Sequence, residues 1–266
     1  MTSASTPPAV LTSKVLLFDL MGTVTDWHSH ISSTLTSSSV LPSTLSPSSF
    51  ALRWRECFFT LAHSIAADPT VGSLDDIDAM HTRALEVVLR EEGVDLSEEM
   101  KKELVRAWHG QKGWEGSADG LERLRKGGYI VAVLANGSTR YQIDVARAGE
   151  LEFDMLFSSQ LLQSVKPRKE MYLRALELLN VKPEEATMVA AHAYDLDAAK
   201  SVGMSTVYIE RETEDVGLLR EEIKENSKHV CGGWLDGGIG RASKLLRGNM
   251  DLRSEMMRKP SITSYI

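Results

Sequence analysis

The stretch KVLLFDLMGTVTDW, residues 14–27, decides the fold. Val15, Leu16, Leu17 and Phe18 form a continuous apolar run that ends at Asp19 and breaks at Gly22. A short run without polar alternation predicts a strand buried on both faces of a parallel sheet. The same signal returns at 129–134, 155–157, 187–191 and 205–209. Helical stretches lie between: one ending at Gly127-Gly128, others at 141–146, 169–180 and 195–202, with a helix-start signal at Pro183-Glu184-Glu185. Strand and helix alternating in this way predict a doubly wound α/β fold with a Rossmann-like parallel sheet and right-handed crossovers.

Between the first and second strands the period changes. Ile77, Met80, Ala84, Val87 and Val88 fall at i, i+3, i+7, i+10 and i+11, one helical stripe. Ser97 before Glu98 and Glu99 reads as an N-cap with acids in the first turn. A helical cap inserted after the first strand is therefore expected, with the cap at 27–114 and the core at 14–26 and 115–266. Residues 1–13 read as a disordered tail and the Ser/Thr-rich 28–50 as loop, with His28 and His30 exposed. The acidic run 210–225 reads as a solvated helix face, and CGGWLDGGIG (231–240) as a flexible loop.

Composition narrows the partners. The 266 residues carry 30 Lys plus Arg against 37 Asp plus Glu, a formal charge of −7. A mildly acidic surface repels nucleic-acid backbones and anionic lipid, so a small-molecule partner is expected instead. Two cysteines, Cys57 and Cys231, make no disulfide framework and fit a reducing compartment. No apolar run approaches the ~18 residues of a membrane span, and MTSASTPPAVLTSK lacks the pattern of a secretory signal. A cytoplasmic location is expected.

In an open α/β sheet the ligand sits beyond the carboxyl ends of the strands. Asp19 and Thr23 follow the first predicted strand, Asn136 the second, Lys166 the loop after the third, and His192 and Asp195 the fourth. Six polar residues on one rim point to an active site.

FDLMGTVTDW (18–27), LANGS (134–138), Lys166-Pro167 and VAAHAYDLDAAKSVGM (189–204) resemble, in order and spacing, the four motifs of the haloacid dehalogenase superfamily. The resemblance covers about 14–210 and is strongest to the L-2-haloacid dehalogenases. It implies hydrolysis of short 2-haloalkanoic acids to 2-hydroxy acids through a covalent aspartyl ester, without metal or cofactor, by a homodimer. Asp19 would be the nucleophile, and Arg55 of the Trp54-Arg55 pair would meet the leaving halide. A carboxylate displaces halide when desolvated and aimed at the α-carbon. Lys166 would keep Asp19 ionised, Thr23 would hold its rotamer, Asn136 would join Arg55 at the halide, and Asp195 would pair Lys166 and orient the hydrolytic water.

Met21 stands where phosphatases of the superfamily carry a second Asp, and a thioether cannot protonate a leaving alkoxide. The chain also departs from the dehalogenase pattern, with Ala135 for a Ser before Asn136 and Ala190 and His192 for a Ser and an Asn. Met21, Thr23, Ala135 and His192 are thus the candidate substrate-orienting positions. His192 would serve either as a neutral base, titrating near its ordinary ~6.5, or as a partner of a strand-end carbonyl. A small-molecule phosphatase and an inert carboxylate-binding relative are the alternative readings.

Overall fold

A computed structural model describes residues 13–68, 70 and 76–215. β1 (Val15–Phe18) is wholly buried and leads through the Gly22 turn to a short β2 (Thr25–Asp26). Four helices follow: α1 (Trp27–Ser38), α2 (Pro47–Ala67), α3 (Ile77–Glu91) and α4 (Glu98–Ala107). β3 (Lys112–Gly113) then pairs antiparallel with β2, so entry to and exit from the helical insert lie side by side. The chain continues as α5 (Ser117–Lys126), β4 (Ile130–Ala135), α6 (Thr139–Ala148), β5 (Met155–Ser158), α7 (Ser159–Leu162) and α8 (Lys169–Leu178). Among the described residues β6 (Ala186–Ala190), α9 (Ala193–Ser201) and β7 (Ser205–Tyr208) come last.

The five long strands form one parallel sheet in the order β5-β4-β1-β6-β7. From β1 the chain steps outward through β4 and β5, then returns to the other side of β1 for β6 and β7. The reversal opens a crevice at the carboxyl end of β1, the position where this fold class binds ligands. Side chains alternate along β1: Leu16 and Phe18 join the core shared with the helical insert, while Val15 and Leu17 pack under α8 and α9. Ile77, Met80, Ala84 and Val88 are buried along one face of α3, and Ser97 caps α4 through the Met100 N–H, both as the spacing predicts.

The Ser/Thr-rich segment departs from its predicted loop character. Asp26 accepts from the Ser29 N–H and starts α1, and Trp27, Ile31 and Leu35 bury one face of it at i, i+4 and i+8. Thr34 and Thr36 turn their hydroxyls back onto the His30 and Ser32 carbonyls, so their polarity is absorbed within the helix. Ser46 and Pro47 then start α2, a side-chain cap followed by a proline in the first turn. His28 and His30 are half-buried rather than exposed, with His28 edge-on to Trp27. Ser13, assigned to the tail, is buried and shares a 2.6 Å hydrogen bond with Thr187. Residues 1–12 and the 231–240 loop, with Cys231, lie outside the described residues.

Candidate active site

Asp19 leaves β1 at the crevice, its main-chain N–H donating to Val189 O on β6 at 3.0 Å. Thr23 Oγ1 donates to Asp19 Oδ2 at 2.8 Å and accepts from the Ala191 N–H at 2.9 Å, so one hydroxyl ties the carboxylate to the end of β6. Lys166 Nζ donates to Asp19 Oδ1 at 3.1 Å and also to Asp195. Asp195 has its other oxygen on the Tyr172 hydroxyl at 2.5 Å. Asn136 clasps the Lys166 backbone at two points, accepting from its N–H at 2.8 Å and donating to its carbonyl at 3.3 Å. The lysine is therefore held at both ends.

Burial pushes the Asp19 carboxyl upward, but Lys166 and then His192 outweigh it and hold the group below the usual carboxylate range. Burial likewise disfavours the Lys166 ammonium, and Asp19 and Asp195 together keep it raised and charged. At neutral pH the site thus contains an ionised, water-shielded carboxylate beside a fixed cation.

Above Asp19 lies a cavity of about 170 Å³ between sheet and insert, lined among others by Met21, Phe58, Phe59, Ile77 and Met80. Trp54 on α2 is fully buried and donates to His81 O at 2.9 Å, which turns its neighbour Arg55 toward this cavity. The Arg55 guanidinium lies 4.2 Å from the centre of the Phe59 ring, with Nη1 2.6 Å from Met21 Sδ. Its Nε has no hydrogen-bond partner among the described residues.

Residues 13–203 match the family of haloacid dehalogenase-like hydrolases. The chain belongs to that family. It is 28% identical to (S)-2-haloacid dehalogenase 4A of Burkholderia cepacia over 205 residues, which is 75% of this chain and 84% of that one. Among solved structures it is similar to the defluorinating L-2-haloacid dehalogenase Rha0230, with a TM-score of 0.75 and 29% identity, covering 88% of this chain and 95% of that one. The L-2-haloacid dehalogenase PA0810 also gives a TM-score of 0.75, at 27% identity and covering 88% and 99%. A glyceraldehyde 3-phosphate phosphatase of Pyrococcus furiosus is 36% identical over 96 residues only, 35% of this chain and 40% of that one. No helix among the described residues is long and apolar enough to cross a membrane.

In this haloacid dehalogenase-like hydrolase the predicted rim residues do come together, but three of them differ from expectation. Asp195 is fully buried behind Lys166 and does not line the cavity, so it acts on the lysine and not on a water there. The Asn136 amide is engaged with the Lys166 carbonyl, while the residue still borders the cavity beside Ala135. His192 is not bonded to a strand-end carbonyl among the described residues. Its Nε2 lies 2.8 Å from Glu214 Oε2, and its Nδ1 is 3.3 Å from Asp19 Oδ2, an ion-pair distance without hydrogen-bond alignment. Burial opposes the charged ring, but Asp19 and Glu214 prevail and raise it to about 10.

Glu214 is the residue that sequence reading missed. It sits in the acidic run expected to be a solvated helix face, yet it is buried on a turn after β7. Gly22 is the trace it leaves in the sequence: with φ at +83°, an added Cβ there would overlap the Glu214 carboxylate. Tyr172 also went unremarked, since nothing in the helical pattern at 169–180 marks it as the partner of Asp195.

The His192 pairing has a thermodynamic consequence. A group raised from 6.5 in the unfolded chain to about 10 when folded adds stability that is complete below pH 6.5 and is lost as pH rises toward 10. His192→Asn is therefore expected to remove that part of the alkaline decline. Thermal melts from pH 6 to 10.5 check it; parallel curves for both proteins would exclude a charged His192.

Proposed function

We propose that this hydrolase removes halide from short 2-haloalkanoic acids through a covalent ester on Asp19, with residues 27–114 acting as the cap domain over a core of 14–26 and 115–266. The observation that carries the reading is a buried, ionised Asp19 facing the Arg55 guanidinium across a small apolar cavity, with the Met21 thioether against that guanidinium. The similarity to 2-haloacid dehalogenases supports it.

Asp19 attacks the α-carbon, the carbon–halogen pair leaves with the halide, and the product is an ester of Asp19. Arg55 meets the departing anion with donors that have no acceptor character, while Phe58 and Phe59 keep water away from it. His192 supplies a second positive edge for the substrate carboxylate. Water then adds to the Asp19 carbonyl carbon; Lys166 stands at Oδ1 and Thr23 at Oδ2, so whichever oxygen is not esterified has a donor for the oxyanion, and the 2-hydroxy acid departs with an oxygen that belonged to Asp19. Of the water's two protons, one ends on the leaving alkoxide and the other passes to solvent as Asp19 returns to the carboxylate.

Halide release from 2-chloro- and 2-bromo-acids, measured with EDTA present, tests the assignment. Chelator-resistant release is expected, whereas Mg²⁺-dependent release of inorganic phosphate from phosphate esters would replace the reading with a phosphatase. Arg55→Lys is expected to lower kcat by ~10²-fold, because an ammonium cannot keep the stack on Phe59 and still present a planar fork to the halide. Arg53→Lys is the control, since Arg53 pairs with Glu56 and Glu91 on the outer surface. Equal, small effects at both positions would remove Arg55 from the halide site.

A further inference from the structure

We propose that Glu214 is a positioning residue, which grips the His192 ring through Nε2 and so fixes its Nδ1 edge against Asp19 at the base of the cavity. The proposal gives a role in the reaction above to a carboxylate that touches neither substrate nor nucleophile.

Glu214 has a side chain only 1% exposed and a complete set of partners. Oε1 accepts from Trp27 Nε1 at 2.5 Å and from Thr213 Oγ1 at 3.1 Å, while Oε2 faces His192 Nε2 at 2.8 Å and Arg55 Nη2 at 4.0 Å. Trp27 begins α1 and Arg55 belongs to α2, so one carboxylate reaches the base of the insert and two of the cations that face the cavity. Removing the side chain at Gly22 is what lets it approach so closely. A buried acid with four such neighbours is a designed-in feature of the site and not a stray surface charge.

The two His192 nitrogens each face a carboxylate oxygen, 2.8 Å away on one side and 3.3 Å on the other. A neutral imidazole could donate from only one of them, leaving the second lone pair against an anion. The ring is therefore an imidazolium, and Glu214 is the anion that balances it when Asp19 is consumed as an ester. At that stage Asp19 carries no charge, and without Glu214 the histidine would lose its remaining partner and its proton. Other groups facing the ring temper this. Asp215 lies beside it with its carboxylate on the Ala193 N–H, the Tyr194 and Phe59 rings lie 5.6 and 5.8 Å from it, tilted and edge-on, and Arg55, His63 and Lys166 surround the same cavity. Asp215 adds negative potential at His192, whereas Arg55 and Lys166 oppose a further positive charge.

The test follows histidine-labelled full-length protein by NMR from pH 6 to 11, with the His192 signal assigned by its loss in His192→Asn. Wild type is expected to show no His192 titration between pH 6 and 9. Glu214→Gln is expected to bring the midpoint down by at least about one pH unit, and Glu214→Asp, which keeps the charge but draws it back, by less. An unmoved midpoint in both variants overturns the proposal, and the Asp variant decides it alone if the Gln variant does not fold. Kinetically, Glu214→Gln is expected to raise KM for a 2-haloacid ~10-fold or more, and to add less than about 2-fold when His192 is already Asn. An undiminished effect in the His192→Asn background would make Glu214 a merely structural brace. If no haloacid is turned over, the proposed reaction fails, while the NMR titration still decides whether Glu214 governs His192.

Discussion

Asparagine at position 19 is expected to abolish turnover, by ~10⁴-fold or more in kcat, while leaving the fold intact. The amide is close in shape to the carboxylate but has no charge with which to displace halide. Its removal leaves Lys166 paired with Asp195 and His192 paired with Glu214, so no buried ion is stranded and the melting temperature should move by only a few degrees. The chemical check is isotopic. With enzyme in excess over a 2-haloacid in ¹⁸O-water, the hydroxyl of the first product should carry no label, because that oxygen comes from Asp19. Label in that first product would mean direct attack by water, and Asp19 would lose the role of nucleophile whatever the variant does.

Lys166→Met is expected to cost both activity and stability, and the stability loss should depend on pH. Lys166 is the cation between two buried carboxylates, and methionine fills its volume without its charge. Breaking a buried pair from one side typically costs ~3–5 kcal/mol, because an unpaired charge stays inside. For a domain of this size that corresponds to a fall in melting temperature of about 10 °C at pH 7. The sign of the pH dependence follows from the carboxylates. Asp19 is held below the usual carboxylate range in the wild type, so its pairing adds stability above the ordinary carboxylate pKa of ~3.9 and loses it as pH falls further. Without Lys166 the buried acids protonate at higher pH, so the gap between variant and wild type should narrow from pH 7 to pH 5. Urea unfolding at the two pH values measures it. An equal gap at both would mean that the loss is one of packing and not of charge.

Much of this was open to reading in the chain. The βαβ order follows from apolar runs whose lengths and turn residues leave little choice: four residues before Asp19, six from Tyr129 to Leu134, five from Thr187 to Ala191. Once those runs are parallel strands, the residues after them must share one rim, which is why Asp19, Thr23, Asn136, Lys166, His192 and Asp195 could be named together. Helix α1 was hidden because its Ser and Thr hydroxyls satisfy one another's backbone locally, an outcome that composition scores as loop.

What the sequence determined by itself was therefore the layered architecture, the place of the helical insert and the set of strand-end side chains, since these depend on periodicity and on local turn chemistry. Only the tertiary structure decided the charge states and the second rank of partners. Asp195 turned out to serve Lys166 from behind, because β6 and the Lys166 loop meet with Tyr172 closing the far side. His192 became a cation because Asp19, far upstream, and Glu214, on a turn after β7, converge on its two nitrogens. Charge in a buried site is set by whatever lies within a few ångströms after folding, and separation along the chain carries no record of that distance.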